Sequence, residues 1–184
     1  MEVASIDLDR LAGPMAGEGC RAELFGEAHR DALKSACAED LDIWEIYSIN
    51  FAPEAFDATI DAFTANPRTR TFVLYDGDEF AGMSSFLGID EGRQTLEIGG
   101  TYYRPRLRGS GFNRRIKDMM IGRAFDCGFR RVEFRVDRRN GRSQAAMKKL
   151  GAVREGVLRG DRITWNGHVR DTVLFAILKN EWAV

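Results

Sequence analysis

The most chemically distinctive segment of the chain is Arg104–Asn113, which reads RPRLRGSGFN. Gly109 and Gly111 lack a Cβ, so the backbone around them can approach a ligand closely. Arg106 and Arg108 add formal positive charge for phosphate oxygens. The segment lies between a predicted strand and a predicted helix, where backbone N–H groups have no partner inside the helix and the helix dipole is positive. These residues predict a loop that binds a pyrophosphate.

Two familiar phosphate loops do not fit this segment. No Lys-Ser/Thr pair follows the glycines, as a P-loop requires, and the run from Gly109 to Arg114 lacks the third glycine of the dinucleotide fingerprint. The competing interpretation is a glycine turn that closes an ordinary strand–helix junction.

Charge is distributed unevenly around this loop. The chain has a net charge of −1, but residues 1–103 hold 20 acidic and 7 basic side chains, whereas residues 104–149 hold 4 acidic and 15 basic. So dense a basic segment predicts an anionic partner, unless it is only the solvated face of an Arg-rich helix. A nucleic acid partner is disfavoured, because the acidic remainder would repel a long polyanion and no aromatic residues are interleaved for base stacking. A small polyanion fits better.

The surrounding pattern predicts the elements that position the loop. Helical periodicity extends over Glu27–Ala38 and continues towards Trp44 and Tyr47, and Pro53 suits the first turn of a second helix, Glu54–Ala65. Strands are predicted at Thr71–Tyr75, Phe80–Leu87, Thr95–Tyr103, Arg131–Val136, Val153–Thr164 and Val169–Leu178, with helices after Gly111 and over Ser143–Leu150. Asn166-Gly167 is a strong hairpin signal between the last two strands. This alternation implies an α/β (α+β) class, with a mixed sheet covered by helices in one domain over residues 1–184.

Length and composition set the outer limits. A chain of 184 residues suits one well-buried domain, and no apolar stretch approaches the roughly 18–20 residues of a membrane span. Residues 1–10 lack the layout of a secretory signal, and residues 1–20 are interpreted as a loosely ordered extension. Cys20, Cys37 and Cys127 are scattered, so we expect reduced thiols and neither a disulfide frame nor a zinc site. We therefore expect a cytoplasmic protein with no membrane partner and no metal.

The motifs together resemble the GCN5-related N-acetyltransferases, the GNAT superfamily. Arg106-x-x-Gly109-x-Gly111 has that family's Arg/Gln-x-x-Gly-x-Gly/Ala form, between a strand and a helix as in the family. The matching segments continue in order along residues 72–182, and together they are similar to the RimJ/RimL-type branch of the family. The segments that carry it are LEIGGTYY ending at Tyr103, Asn113 and Lys117, NGRSQAAMKKLGA starting at Asn140, EGVLR starting at Glu155, Arg170-Asp171 and Glu181-Trp182.

The resemblance implies a mostly antiparallel sheet of about seven strands, flanked by helices, that splays between its fourth and fifth strands. Acetyl-CoA would lie there, with its pyrophosphate on the loop amides and its pantetheine arm paired with the preceding strand by strand addition. The implied cofactor contacts are Ile98, Gly100, Tyr102, Arg106, Leu107, Arg108, Gly109, Ser110, Gly111, Phe112, Asn113, Asn140 and Ser143. Asn140 could also serve as the N-cap of the helix that follows it.

Acetyl transfer calls for a neutral amine, a donor for the developing oxyanion and an acid for the departing thiolate. Many family members place a tyrosine acid seven residues after the asparagine, but that position here is Met147. The RimL-like branch instead has a serine three residues after the asparagine, and Ser143 stands there. Ser143 is therefore the candidate acid, with helix capping as the alternative role.

The candidate general base is Glu97, in the strand before the loop, with Asp161 as its competitor. Each could also be an ordinary exposed charge. His29 and His168 are interpreted as structural, because one lies on an early helix and the other beside a hairpin turn.

The acetyl acceptor is the part of the implied reaction that the sequence determines least. Trp44 and Tyr47 are three residues apart and could line its entrance, with core packing as the alternative. The acidic first half of the chain would attract a cationic amine, such as a protein N-terminus, a polyamine or an aminoglycoside. We expect an N-acetyltransferase that acts on a peptide N-terminus or a small amine, and a homodimer is left open. The alternative is a non-catalytic acyl-CoA-binding or sensing domain on the same scaffold, which Met147 keeps under consideration.

Overall fold

A single eight-stranded sheet runs through the computed structural model, which describes residues 5–182. Its strands lie in the order β1-β2-β3-β4-β5-β6-β8-β7. Their bounds are β1 Met15–Gly17, β2 Cys20–Leu24, β3 Arg70–Asp76, β4 Glu79–Asp90, β5 Thr95–Tyr103, β6 Arg131–Asp137, β7 Val153–Ile163 and β8 Val169–Leu178. The helices are α1 Leu8–Ala12, α2 Arg30–Cys37, α3 Phe56–Thr64, α4 Phe112–Asp126 and α5 Gly141–Leu150.

Every neighbouring pair in the sheet is antiparallel except β5 and β6, which run parallel. Their pairing ends at Glu97 opposite Glu133, although both strands continue beyond it. The sheet therefore opens into a gap between the second half of β5 and the second half of β6. The predicted splay is confirmed, and it falls one strand later because the short β1 brings the total to eight where about seven were predicted.

The two faces of the sheet carry separate cores. Alternation within β3 shows the division, since Phe72 and Leu74 join the core that packs under α4, whereas Val73 joins the core under α2 and α3. The first core includes Phe112, Ile116 and Met120 of α4, and the second includes Trp44, Phe51, Phe56 and Ile60. The gap between β5 and β6 connects these two sides of the molecule.

Most elements predicted from the sequence are present, and β5 and β8 have the predicted bounds. Two regions differ. Residues 5–20, interpreted as a loosely ordered extension, form α1 and pair β1 with β2, while residues 1–4 lie outside the described residues. The early helix does not continue towards residue 47, because α2 ends at Cys37 and a 3₁₀ turn covers Asp42–Ile46. Within residues 5–182, no helix is long and apolar enough to cross a membrane.

Candidate functional site

The gap between β5 and β6 contains a cavity of about 650 Å³. One end opens at the β5–α4 loop, where Gly109, Gly111 and Asn113 line it. Its middle is lined by residues 98–103 of β5 on one side and by the start of α5 on the other. The far end is closed by residues 43–51 and by charged side chains of β6, β7 and β8. We call the end at the β5–α4 loop the loop end and the opposite end of the cavity the far end.

At the loop end, Gly109 and Gly111 hold the backbone in the left-handed region, with φ of 81° and 86°. A Cβ built on either glycine would meet nothing within 4 Å. Among the hydrogen bonds of residues 5–182, none uses the N–H of either glycine. Gly111 is also the N-cap of α4, whose first N–H groups have no partner within the helix. Two left-handed glycines with open space in front of free N–H groups form a concave anion site that fits a pyrophosphate.

The two arginines predicted to bind phosphate are held in ion pairs. Arg106 contacts Glu79 at 2.5 Å and does not line the cavity. Arg108 lines the cavity and pairs with Asp40. A phosphate at this loop would therefore be held mainly by backbone N–H groups, and either guanidinium would have to exchange its carboxylate for the phosphate to take part.

The other predicted loop contacts divide between cavity and core. Leu107 and Asn113 line the cavity, whereas Phe112 is fully buried under the sheet. Ser110 stabilises the turn itself, since its hydroxyl donates to the Leu107 carbonyl at 2.8 Å and accepts from the Phe112 N–H at 3.3 Å.

The middle of the cavity exposes a strand edge. Tyr102 of β5 lies opposite Met83 of β4, with its hydroxyl donating to the Ala36 carbonyl at 2.6 Å on the α2 side. Because main-chain groups alternate along an antiparallel strand, those of Thr101 and Tyr103 point to the other edge, towards the gap. This edge can pair with an extended ligand.

Side chains already contact that edge. The Tyr47 hydroxyl donates to the Thr101 carbonyl at 2.5 Å, and the Arg108 guanidinium donates to the Tyr103 carbonyl at 3.5 Å. Burial raises the pKa of Tyr47 to about 12, so its hydroxyl remains a donor at neutral pH. These two side chains take the carbonyls that the amide N–H groups of a ligand would use.

A bulge in β5 determines which side chains face the gap. The β4–β5 register shifts between Met83 and Ser85, and Gly100 has φ of 56°. A Cβ on Gly100 would lie 2.9 Å from the Phe63 ring, so the close approach and the left-handed backbone both require glycine. Ile98, before the bulge, faces the α4 core and also lines the cavity.

Across the gap, Asn140 and Ser143 lie at the start of α5. The Asn140 side-chain oxygen accepts the Ser143 N–H at 2.9 Å, so Asn140 is the N-cap of α5, and both residues line the cavity. Among the described residues, no hydrogen bond uses the Ser143 hydroxyl, which leaves it available to a ligand. Met147 is buried one turn later and lines the cavity with a side chain that has no proton to donate.

Glu97 lies at the point where β5 and β6 part, and its side chain is 17% exposed. Burial raises the pKa of Glu97, and the positive charges of Arg162, Arg135 and Arg170 only partly oppose that effect. Arg135 is the nearest cation, with its Nε 3.7 Å from the carboxylate. A carboxylate with a raised pKa in a cavity is a suitable proton acceptor.

Asp161 differs from Glu97 in both position and charge state. It does not line the cavity. Burial pushes its pKa up, but the Thr172 hydroxyl at 2.8 Å and the Arg162 guanidinium at 3.1 Å outweigh burial, so the pKa of Asp161 is lowered. Its geometry favours a structural role.

Lys117 is a feature to which the sequence assigned no role. It is only 3% exposed, lines the cavity from α4, and donates to the Thr101 hydroxyl at 2.8 Å and the Ser84 hydroxyl at 3.4 Å. Burial lowers the pKa of Lys117 to about 7, with Glu97 acting in the opposite direction. The sequence signal for this is the position of Lys117 within the apolar face of α4, where a charged side chain is buried with the rest of that face.

The remaining sequence candidates lie as follows. Tyr47 lines the cavity, but Trp44 does not: it is 1% exposed, stacks on Tyr102 at 5.1 Å and donates from its ring to the Cys37 carbonyl. Trp44 is thus a core residue. His29 and His168 do not line the cavity, and His29 accepts the Gly26 N–H at 3.0 Å. Within residues 5–182, no cluster of three or more His, Cys, Asp or Glu side chains could hold a metal ion.

A family model described as Acetyltransferase (GNAT) family matches residues 40–152. A putative acetyltransferase from T. thermophilus is 34% identical, with a TM-score of 0.84 over 92% of this chain and 90% of that one. A probable GNAT-family acetyltransferase from Chromobacterium violaceum ATCC 12472 is 27% identical, with a TM-score of 0.86 over 93% and 88%. Mycobacterium smegmatis RimJ in complex with CoA-disulfide shares the fold at 20% identity, with a TM-score of 0.79 over 94% and 88%. No curated protein sequence matches the chain significantly.

Proposed function

We propose, since this chain belongs to the acetyltransferase (GNAT) family, that it moves an acetyl group from acetyl-CoA to a primary amine by direct attack on the thioester. One observation carries the proposal: the two left-handed glycines present free N–H groups at the mouth of a cavity that continues along an unpaired strand edge. A pyrophosphate followed by an extended arm containing amides is the ligand shape that this surface fits.

Binding would use the loop and β5 in sequence. The N–H groups near Gly109 and Gly111 would hold the pyrophosphate, and the carbonyl edge at Thr101 would accept an amide N–H of the pantetheine arm. Tyr47 would then release that carbonyl, because its hydroxyl and the amide N–H would compete for the same oxygen. Asn140 and Ser143 lie on the facing wall and complete the cradle.

Acetyl-CoA supplies the acetyl group as a thioester that a neutral amine can attack. Glu97 would take the proton that the amine loses, since its pKa is raised and it lines the cavity. The Ser143 hydroxyl has no other acceptor among the described residues and would donate to the departing sulfur. Lys117 supplies positive charge or a lone pair on the α4 side, depending on pH, because its pKa is about 7.

The finer assignments also belong to this proposal. Resemblance along residues 72–182 supports a RimJ/RimL-like branch, and the RimJ structure shares the fold. The acceptor would be a peptide N-terminus or a small amine, and the protein would act in the cytoplasm.

The direct test is CoA release from acetyl-CoA, measured with a thiol reagent against a panel of amines and N-terminal peptides. We expect turnover with at least one acceptor, together with an acetylated product of the correct mass. Tight acetyl-CoA binding without turnover across the panel would contradict the proposal and support an acyl-CoA-sensing domain.

A further inference from the structure

The far end of the cavity has three arginines from three different strands on its floor. Arg135 lies on β6, Arg162 on β7 and Arg170 on β8, and all three line the cavity together with Glu97. The same arginines Arg135 and Arg162 also border a second, smaller cavity of about 270 Å³ that adjoins the first. None of the three belongs to the loop that would hold CoA.

Two of these arginines are directly opposed. Arg162 and Arg170 are cross-strand partners in the β7–β8 pair. Like charges directly opposite each other destabilise a sheet. Burial lowers the pKa of Arg170, and the charge of Arg162 lowers it further. An unfavourable pair of like charges is expected where an anion binds between the two cations and offsets their repulsion.

The guanidinium donors are largely unused. Arg170 is 5% exposed, and its Nε has no hydrogen-bond partner. Among the described residues, the side chains of the three arginines donate to few acceptors: Arg170 to the Arg135 carbonyl at 2.8 Å, Arg162 to Asp161 at 3.1 Å and Arg135 to Glu133 at 3.3 Å. A buried guanidinium edge without an acceptor is costly, and a carboxylate could bridge that edge of Arg170 to the neighbouring Arg162, whose side chain is 37% exposed.

The nearby carboxylates satisfy only part of this donor set. Asp137 accepts from the Arg139 side chain at 2.8 Å and from its backbone N–H, and lies 4.0 Å from Arg170 Nε. Asp161 accepts from Thr172 and from Arg162, and lies 3.9 Å from Arg135. Glu97 approaches Arg135 at 3.7 Å. These groups balance the formal charge but leave the Nε of Arg170 without an acceptor.

The acidic first half of the chain does not supply a cation site here. Of its carboxylates within the described residues only Glu97 lines the cavity, since Glu39, Asp40 and Glu45 contact Arg104, Arg108 and Asn166 instead. The segments that close the far end contribute apolar side chains: Ile43, Ile46, Ile49, Phe51 and Phe63, with Leu87 beside them. Apart from Glu97 and Asp137, a polyamine would thus meet arginines and hydrocarbon.

We infer that the acceptor is an amine that also carries a carboxylate and an apolar side chain, of the α-amino acid class, with its carboxylate held between Arg162 and Arg170. This inference rests on the proposed acetyl transfer and narrows its acceptor. The apolar side chain lies against Phe51 and Phe63, and the amine is directed towards Glu97 and the thioester.

The transfer balances with the groups present. The amine nitrogen forms a bond to the thioester carbonyl carbon, and the carbon–sulfur bond breaks with its electron pair on sulfur. The proton lost by nitrogen passes to Glu97, and the thiolate takes a proton from Ser143 or solvent. The products are an N-acetyl amino acid and CoA.

The test compares acceptors that differ only in the carboxylate. We would measure kcat/KM for L-leucine against 3-methylbutylamine and for L-phenylalanine against 2-phenylethylamine, with spermidine as a polyamine. The amino acid should be preferred at least about tenfold in each pair, as expected for a charge-assisted hydrogen bond. Equal or greater rates with the decarboxylated amines or spermidine would overturn the inference while leaving acetyl transfer intact.

Two variants locate the effect. Arg162→Gln should raise KM for L-leucine about tenfold or more, should raise KM for 3-methylbutylamine far less because that amine has no carboxylate, and should leave the Kd of acetyl-CoA nearly constant. Arg154→Gln is the matched control, because Arg154 is an exposed arginine on the same strand that does not line the cavity. An Arg162→Gln protein with unchanged KM for L-leucine would contradict the assigned subsite.

A binding measurement separates this inference from the proposed function. Calorimetry with N-acetyl-L-leucine in the presence of CoA should show binding to the wild-type chain and to Arg154→Gln, and loss of binding in Arg162→Gln. If no amine is acetylated, the proposed function fails, yet this pattern would still establish the carboxylate subsite. Absence of N-acetyl-L-leucine binding to the wild-type chain would refute the subsite.

Discussion

The two ends of the cavity are built in opposite ways. The loop end comes from one continuous stretch, Arg104–Asn113, whose free N–H groups follow from two left-handed glycines and a helix start. The far end gathers side chains from β5, β6, β7, β8 and residues 43–63, and no two of its three arginines are neighbours in sequence. The loop end has a signature that is local in the chain, whereas the far end has none.

This difference matches what each end is proposed to recognise. A pyrophosphate can be bound by backbone groups, so its site needs only a particular turn beside a helix. An acceptor is recognised by side chains that must converge from several strands, because its charge and shape are not those of a peptide group. The following changes test whether the two ends are as independent as this construction implies.

The largest effect is expected at the loop end. Gly109→Val should weaken CoA binding by about 10²–10⁴-fold, because a branched Cβ would block the phosphate position and disturb two charge-assisted N–H contacts. Calorimetry with CoA measures this. Gly167→Val is the matched control, since Gly167 has φ of 82° with nothing within 4 Å of a built Cβ but lies in the β7–β8 turn. Equal loss of CoA affinity in both variants would show that backbone strain, and not phosphate contact, is responsible.

The next effect belongs to the region where the ends meet. Glu97→Gln should lower kcat about 10²–10³-fold if Glu97 is the general base. In the wild-type enzyme the rate should rise with pH through the pKa of Glu97, which burial holds above the usual glutamate value. This rising limb of the pH–rate profile should be absent in the variant. Asp161→Asn is the comparison. A lost limb in Asp161→Asn with an intact one in Glu97→Gln would reverse the assignment.

A smaller effect is expected from the wall that faces β5. Ser143→Ala should reduce kcat about tenfold while the Kd of acetyl-CoA stays nearly constant, because the hydroxyl would act on the departing sulfur. The Ser143 N–H contact to Asn140 survives the change, so α5 keeps its cap. Ser35→Ala, on the exposed face of α2, serves as the control. An unaltered kcat would remove Ser143 from the chemistry.

The smallest effect probes a contact between the far-end segment and the edge of β5 in the middle of the cavity. Tyr47→Phe removes the hydrogen bond from the far-end segment to the Thr101 carbonyl. CoA should then bind about 2–10-fold more tightly, since it no longer displaces a neutral hydrogen bond. Calorimetry with CoA provides the measurement. Weaker CoA binding would mean that Tyr47 supports the arm and does not compete with it.

The β7–β8 hairpin shows what a local sequence pattern predicts and what it does not. Asn166-Gly167 predicts the turn, and the turn is there. The register, however, has Ile163 opposite Val169 and Thr164 bonded to His168, which leaves the three residues 165–167 in the loop. A two-residue turn would have put Ile163 opposite Arg170. Trp165 accounts for the longer loop, because its ring N–H reaches the Trp44 carbonyl at 2.9 Å and its backbone N–H the Ser48 carbonyl. That shift places Arg162 opposite Arg170.

The bulge in β5 is a second case. Alternation along LEIGGTYY would keep Ile98 and Tyr102 on one face, yet Ile98 packs under α4 and Tyr102 under α2. The strand was predicted with its observed bounds, but the residue at which it reverses its faces depends on a close approach to Phe63 from another helix.

The sequence by itself determined most of the strands and helices after residue 70 and the loop of Gly109 and Gly111, whereas the splay between the strands that flank α4 was implied by the family resemblance. The strands, the helices and the loop depend on periodicity, turn chemistry and helix starts, which act over a few neighbouring residues. The tertiary structure decided that Trp44 is core, that Arg106 pairs with Glu79, that the pKa values of Glu97 and Lys117 are shifted, and that three arginines meet at the far end. Burial and electrostatic interaction sum over whatever the fold brings close, and separation along the chain does not reveal that sum.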